Sequence, residues 1–178
     1  MTIIQELYTH LEEARLWEPE QRIGRHEFLI QAGRRERYVY YELEGSLRAY
    51  VVHGAEEQVV RLAYTNNFIT ALDSFITDQP TAFYIQALKK TKVKRIAKPI
   101  YRDFLHSRPE LMSLWNRLLE ADLLQQIERE QDLLIDAPIE RYRRVLKRSP
   151  QLFQHIPHKH IAAYLRMTPE TLSRIKKS

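Results

Sequence analysis

The residues with the clearest chemical roles lie in two short helical segments near the end of the chain. Ile161 and Leu165 form an apolar pair at helical spacing, and Leu172 is apolar again after a turn. Thr168 is a good N-cap residue, and Pro169 suits the first position of a helix. Two helices that cross through so short a turn are typical of a helix-turn-helix, whose second helix enters the DNA major groove.

The outer face of the second segment carries side chains that can read bases and bind phosphates. Arg174 can donate two hydrogen bonds to a guanine edge, and Glu170 can accept one from a cytosine amino group. The sequence therefore predicts double-stranded DNA as a partner, contacted by Thr168, Glu170, Thr171, Ser173, Arg174, Lys159, Lys176 and Lys177. Further phosphate contacts are expected from Arg143, Arg144, Lys147 and Arg148.

The distribution of charge supports this interpretation. The chain has 28 Lys and Arg, 23 Asp and Glu, and a formal net charge of +5. Residues 141–178 hold ten of the basic residues and a single acidic one, Glu170, so residues 1–140 are net acidic. A folded, strongly basic segment points to a polyanionic partner. The alternative is a helical hairpin that contacts protein, or that keeps the motif without its function.

The residues before this motif predict a β domain. Residues 3–16 have the apolar spacing of an amphipathic helix. From about residue 17 to 98, short apolar and aromatic runs alternate with turn residues, which indicates a β sandwich or barrel. The connections are too short for the crossover helices of a parallel α/β sheet. The predicted strands are 28–30, 37–43, 47–52, 58–64, 82–88 and 93–96.

A long helix is predicted between the two domains, from Tyr101 to about Ile135. Its apolar residues cover too broad a face for one contact, so we expect it to pack on its own β domain and on a second copy. The alternative is burial within one chain. The helix ends before Pro138, because proline disfavours helical geometry in the preceding residue. The predicted organisation is a sensor domain (1–100), a dimerisation helix (101–136) and a DNA-binding domain (137–178).

The stretches Ile161–Leu165 and Thr168–Arg174 resemble the helix-turn-helix of the Crp/Fnr family of transcriptional regulators. Glu44–Arg48 is similar to a glycine turn in that family's cyclic-nucleotide-binding β domain. The resemblance covers nearly the whole chain and is nearest to a short, Bacteroidetes-type branch. It implies an α+β protein with an N-terminal β jelly roll, a homodimer formed through the 101–136 helix, and a C-terminal winged helix-turn-helix.

The nucleotide pocket departs from the family pattern. Members that bind cyclic nucleotides have a Gly-Glu pair, and an arginine followed by Ser or Thr. The matching positions here are Thr70-Ala71 and Thr81-Ala82. Burial of a cyclic phosphate without a cation is costly. We therefore expect a degenerate pocket near these four residues, with an unidentified small-molecule effector or none.

Two further departures concern the C-terminal motif. Arg166 stands where many such motifs have Gly, which permits a left-handed backbone at little cost. The sequence given ends at Ser178, directly after the second helical segment, so we expect the DNA-binding domain to lack a complete wing.

Metal, cofactor and catalytic sites are not expected. The sequence contains no cysteine, which excludes thiolate metal sites, iron–sulfur clusters and disulfides. His155, His158 and His160 are expected to diverge rather than to share a metal ion. No apolar run reaches the ~20 residues of a membrane span, and no signal peptide is visible. We therefore expect a cytoplasmic protein that is not an enzyme and has no membrane partner.

Two other functions are compatible with these features. One is a ligand-binding or protein-interaction module of the cyclic-nucleotide-binding type, with a vestigial DNA-binding motif. The substitutions at the pocket and Arg166 favour it. The other is a cupin-like enzyme, which would need a bound metal ion, although no two-histidine-plus-acid pattern is present. A regulator that binds DNA as a homodimer accounts for more of the sequence than either.

Overall fold

The fold is α+β, and the computed structural model describes residues 2–177. The strands are β1 (Gln21–Ile23), β2 (Phe28–Ile30), β3 (Tyr38–Glu44), β4 (Ser46–His53), β5 (Glu56–Tyr64), β6 (Asn67–Ile69), β7 (Tyr84–Ala87) and β8 (Thr91–Ala97). The helices are α1 (Ile3–Glu13), α2 (Leu72–Thr77), α3 (Lys98–His106), α4 (Pro109–Leu133), α5 (Pro138–Arg148), α6 (Leu152–His155), α7 (His158–Tyr164) and α8 (Pro169–Ile175).

The strands form two antiparallel sheets, with the orders β1-β8-β3-β6 and β2-β7-β4-β5. Side chains that point inward from both sheets make one apolar core, which includes Tyr40, Leu47, Ile85 and Val93. This is the predicted sandwich. Strands β1 and β6 and helices α2 and α6 were not predicted, because such short segments show no periodic pattern. The equally short β2 was predicted from its run of three apolar residues.

Strand β3 is buried on both faces. Tyr40 points into the core between the sheets, whereas Val39 and Tyr41 point outward into a second core with α1, α3 and α4. Leu7 and Leu11 of α1 belong to this second core. The helices therefore cover one face of the first sheet and fix the position of α4 against the β domain.

The turn between β3 and β4 requires glycine at position 45. Gly45 has φ +122°, and a Cβ atom there would lie 2.6 Å from the Cα atom of Thr91. Both the left-handed backbone and the close approach to β8 exclude a side chain. The turn matches the glycine turn that the resemblance implies for the β domain.

The structure divides the region 101–136, which was predicted as one helix, between two helices. Helix α3 ends at His106, and α4 starts at Pro109 after an extended residue, Arg108, with φ −148° and ψ 136°. A proline restricts the residue before it to extended geometry, which interrupts the helix here. The prediction of a continuous helix from Tyr101 was therefore wrong at its start.

The C-terminal helices α5 to α8 share a third apolar core. Ile161, Ala162 and Leu165 of α7 and Leu172 of α8 are buried in it. Leu62 of β5 packs against the same core, so this helical unit rests on the β domain. No helix within residues 2–177 has the length and apolar character needed to cross a membrane.

Candidate nucleic-acid interface

Helices α7 and α8 are joined by a short turn at residues 165–168. The Thr168 hydroxyl caps α8 by accepting a hydrogen bond from the Thr171 N–H at 3.2 Å, and Pro169 is in its first turn. Leu172 is buried against α7. Arg166 has φ 52°, so the turn uses a left-handed residue at the position where Gly was expected. These local signals position α8 with its polar face outward.

The outer face of α8 forms one open, shallow groove. It is lined by Pro169, Glu170, Ser173, Arg174 and Lys177, which recur at helical spacing along one side. These five residues are exposed. Three of the residues predicted to read bases, Glu170, Ser173 and Arg174, are therefore brought together on one surface.

The other predicted contact residues occupy different positions. Lys159 is exposed on α7. The Nζ atom of Lys176 lies 2.7 Å from Nε2 of His158, which ties the end of α8 to the start of α7. Thr168 is exposed, but Thr171 is half-buried against the cap rather than on the outer face. The structure thus separates Thr171 from the groove.

Glu170 is held in its ionised form at the start of α8. Its own backbone N–H and the Thr168 hydroxyl bond to the carboxylate and lower the pKa of Glu170 below its usual range. A carboxylate at a helix N-terminus also complements the helix dipole. The group therefore remains a hydrogen-bond acceptor at neutral pH, as contact with a cytosine amino group requires.

Two of the arginines expected to bind phosphates are engaged within the chain. Asp132 of α4 is 1% exposed and pairs with Arg144 Nε at 2.7 Å and Arg148 Nη2 at 2.6 Å. Arg143 and Lys147 are exposed. Arg144 and Arg148 thus fasten α5 to α4, and the available basic surface of α5 is smaller than the sequence suggested.

Arg141 is a structural residue that the sequence did not reveal. It is 9% exposed and donates hydrogen bonds to the carbonyl oxygens of Ile135, Asp136 and Arg166. It thereby joins the connection after α4 to the turn between α7 and α8. A basic residue in a basic segment gave no sign of burial, because its partners are main-chain atoms that the sequence does not show.

The predicted pocket residues lie together at α2, and their polar groups bond within the chain. The Thr70 hydroxyl donates to the Tyr38 carbonyl at 3.0 Å. The Ala71 N–H donates to Glu36 Oε2 at 3.0 Å. The place where α2 begins is therefore occupied by a carboxylate of the chain itself.

A second carboxylate fills the other half of this region. Asp73 accepts hydrogen bonds from the Thr81 hydroxyl at 2.7 Å and from the Ala82 N–H at 3.0 Å. Glu36 is 4% exposed, and burial raises its pKa, although several hydrogen bonds oppose this change. The sequence reasoning missed Glu36 and Asp73. Asp73 follows Ala71 by two residues and was a signal available in the sequence, whereas Glu36 is distant from both departures and gave none.

The C-terminal half of α4 exposes an apolar stripe. Leu123, Leu124 and Ile127 are 61%, 62% and 42% exposed, and Leu134, the residue that caps the helix, is 82% exposed. The N-terminal half differs, since Leu111, Leu114 and Leu118 are buried against α1, α3 and the β domain. The broad apolar face noted in the sequence thus divides into one half that packs within the chain and one half that does not.

The three neighbouring histidines occupy different surroundings. His155 stacks on Tyr64 with ring centroids 5.1 Å apart, His158 contacts Lys176, and His160 is buried, which lowers its pKa to about 4. Among residues 2–177, no group of three or more His, Asp or Glu side chains could hold a metal ion.

This structure resembles solved structures, although comparison of its sequence with family models and curated proteins gives no match. FixK2 from Bradyrhizobium japonicum aligns with TM-score 0.75 and 16% identity, over 89% of this chain and 82% of that one. The c-di-GMP-responsive global regulator CLP from Xanthomonas campestris gives 0.71 and 14%, over 97% and 90%.

A third similar structure is the catabolite activator protein of Thermus thermophilus, with TM-score 0.59 and 18% identity over 99% of this chain and 85% of that one. Identities this low establish the fold alone. The alignments extend beyond the β domain into the helical region, because they cover nine-tenths or more of the chain in two of the three cases. The predicted α+β fold, a β domain of two antiparallel sheets followed by helices, is therefore confirmed.

Proposed function

We propose that this chain is a transcriptional regulator of the Crp/Fnr family that binds double-stranded DNA through α8. One observation carries the proposal. Glu170, Ser173 and Arg174 share an exposed face, while Leu172 on the opposite face is buried. A helix supported in this way can enter the major groove with its polar side chains toward the base edges. The exposed Lys159 and Lys177 can bind flanking phosphates.

The proposal includes a homodimer formed through α4. Leu123, Ile127 and Leu134 follow one another at intervals of four and seven residues, the spacing of a coiled-coil seam. A two-fold dimer needs such a face, which can pair with a copy of itself. The pair of α8 helices would then contact two half-sites about one DNA turn apart, in an inverted repeat.

The sensor pocket is proposed to be degenerate. Glu36 and Asp73 already take the N–H and hydroxyl groups of Ala71, Thr81 and Ala82 that an anionic ligand would need. A cyclic phosphate placed there would also meet two carboxylates, and like charges repel. The regulator therefore acts with an effector of another kind or with none. A cytoplasmic location follows from this function, because the protein must reach DNA.

Two features stay predictions. The assignment to a short Bacteroidetes-type branch is one. The absence of a complete wing after α8 is the other, because it concerns the end of the chain and Ser178 lies outside the described residues.

Selection from a randomised duplex library tests the proposed function. The full chain should enrich an inverted repeat, and its affinity should fall steeply as the salt concentration rises. Chains with Leu123→Glu and Ile127→Glu together should lose the preference for paired half-sites. Weak binding without sequence preference would instead favour an interaction module with a vestigial DNA-binding motif.

A further inference from the structure

A cavity of about 100 Å³ lies where β5, α4 and α5 meet. It is separate from the α8 groove and from the region of Glu36 and Asp73. The space is several times the ~10–15 Å³ that a cavity needs, by the same measure, to hold one water molecule. The polar residues of its lining are Arg61 and Tyr64 of β5, Asn67 of β6, Gln125 and Gln126 of α4, Arg148 and Ser149 at the end of α5, and Tyr164 of α7.

The lining carries two cationic side chains, each of them paired with carboxylates that lie outside the lining. It contains two arginines, and none of the described residues that line it is acidic. Asp122 holds Arg61 through both Nη atoms at 2.8 Å. Glu128 and Asp132 hold Arg148. These pairs fix each guanidinium in place but use only two of its five N–H donors. Donors that are already positioned can bind an anion without further loss of side-chain freedom.

Neutral donors complete the lining. The side chains of Gln125, Gln126 and Ser149 make no hydrogen bond to another residue in the part of the chain that the structure describes. Gln125 is exposed, and Gln126 and Ser149 are half-buried, so these groups reach the open side of the cavity. An unpaired amide or hydroxyl that faces a polar cavity gains from a bound partner.

A third arginine adds positive charge behind the cavity wall. Arg129 lies over the ring of Tyr164, which lines the cavity, with its Cζ atom 4.8 Å from the ring centroid. Its Nη2 donates to the Val59 carbonyl at 2.7 Å, and its Nε is buried without a partner. No carboxylate within residues 2–177 lies within ion-pair distance of Arg129, and Glu130 acts on its charge only from farther away.

We propose that this cavity binds a small tetrahedral oxyanion, such as inorganic phosphate or a molecule that ends in a phosphate group. The ligand accepts hydrogen bonds from Arg61 on one side and from Arg148 and Ser149 on the other. Charge-assisted bonds of this kind are the strong ones in proteins and offset the cost of removing an anion from water. The bound ion joins β5 of the β domain to α5, which leads into the C-terminal helices.

Calorimetric titration of the full chain with inorganic phosphate tests the proposal, with chloride at matched ionic strength as the reference. We expect saturable binding of one phosphate per chain. Gln126→Glu places a carboxylate in the lining with almost no change in shape and should weaken binding at least tenfold. Gln131→Glu makes the same change on the exposed surface of α4. It should leave the affinity within about twofold, because water and salt screen a charge at the surface.

The proposal is wrong if phosphate binds no better than chloride, or if the two variants weaken binding equally. A second measurement does not depend on the variants. Phosphate added to the unmodified, ¹⁵N-labelled chain should shift the amide signals of Asn67, Gln126 and Ser149 most. Largest shifts at Lys176 and Lys177 would assign the phosphate to the basic surface instead. Neither experiment uses DNA, so its outcome is independent of the proposed regulator function.

Discussion

The Nη2 atom of Arg141 donates a hydrogen bond to the main-chain oxygen of Arg166 at 3.2 Å. Arg166 is the left-handed residue of the turn between α7 and α8. The other bonds of Arg141 run to the connection that follows α4. One guanidinium thus sets the position of the α7–α8 pair relative to the long helix, which matters if both α8 helices of a dimer must reach one DNA face.

Replacement of Arg141 by Met should destabilise the C-terminal helices by about 2–4 kcal/mol. The change keeps the aliphatic part of the side chain but leaves three carbonyl oxygens without their donor. Hydrogen bonds to charged groups are worth about 1.5–3 kcal/mol each, and these part-buried oxygens recover part of that sum from water. Hydrogen exchange of the α7 and α8 amides measures the effect. Arg143→Met, an exposed position on the same helix, is the control and should change exchange by less than ~0.5 kcal/mol. If the α7 and α8 amides were equally protected in both variants, Arg141 would not stabilise the packing of these helices.

Replacement of Arg166 by Gly should stabilise the same unit by about 0.5–1 kcal/mol. Arg166 has φ 52°, a conformation that costs a residue with a Cβ atom roughly 1 kcal/mol and costs glycine little. Arg166→Ala keeps the Cβ atom and should bring no gain. Urea unfolding of the three chains compares them. A loss of stability in Arg166→Gly would mean that contacts of the Arg166 side chain outweigh the backbone strain.

Glu42 makes stability fall as the pH rises. It is 0% exposed, and neither carboxylate oxygen has a hydrogen-bond partner among the described residues. Burial raises the pKa of Glu42 from 4.5 to about 8. Between these values the folded chain binds a proton that the unfolded chain has lost, so the free energy of unfolding decreases with rising pH and levels off above pH 8.

The variant Glu42→Gln should remove this dependence. The free energy of unfolding of this variant should equal that of the parent chain at pH 4, where Glu42 is protonated in both the folded and the unfolded state. At pH 8 the variant should be more stable than the parent chain by a few kcal/mol, because each unit of pKa shift corresponds to about 1.4 kcal/mol. Urea titrations at a series of pH values measure the difference. Glu44→Gln is the control, since Glu44 is exposed and pairs with Lys92. A gain that is the same at pH 4 and pH 8 would mean that Glu42 is not protonated by burial.

A charge in the exposed stripe of α4 should separate the dimer. Ile127→Glu places a carboxylate at the centre of the proposed seam, where two copies would face each other across the two-fold axis. Like charges at an interface cost several kcal/mol, so the dissociation constant should rise at least 100-fold by sedimentation velocity. Ile100 is 48% exposed on α3, and Ile100→Glu should leave the dimer intact. A monomeric parent chain would end this part of the proposal.

Replacement of Arg174 by Ala should relax sequence preference at one base pair of each half-site. A bidentate contact to guanine discriminates against other bases by about 1–3 kcal/mol, whereas the salt dependence should change little. Library selection with the variant measures the effect. Arg25 is exposed in the β domain, and Arg25→Ala removes the same charge without an effect on the preferred sequence. Unchanged preference in Arg174→Ala would show that α8 does not read DNA through this residue.

The sequence by itself determined the elements with strong local patterns. The longer strands, α1, and the cap and proline that start α8 are set by residues close in the chain, since apolar periodicity and N-cap preference act over a few positions. The local basic charge and the polar residues of α8 were equally visible. For these reasons Glu170, Ser173 and Arg174 could be chosen as candidate site residues before the structure was known.

Only the tertiary structure decided which charged groups are available. Arg141 and Arg143 look alike in the sequence, yet one is buried on carbonyl oxygens and the other is exposed. Glu36 lies 35 residues from the Ala71 N–H that it accepts from. Such pairings depend on how distant segments pack, and the cost of burying a charge depends on the partners that packing supplies. For that reason three features could be seen only in the structure: the filled region at Glu36 and Asp73, the exposed half of α4, and the β5–α4–α5 cavity.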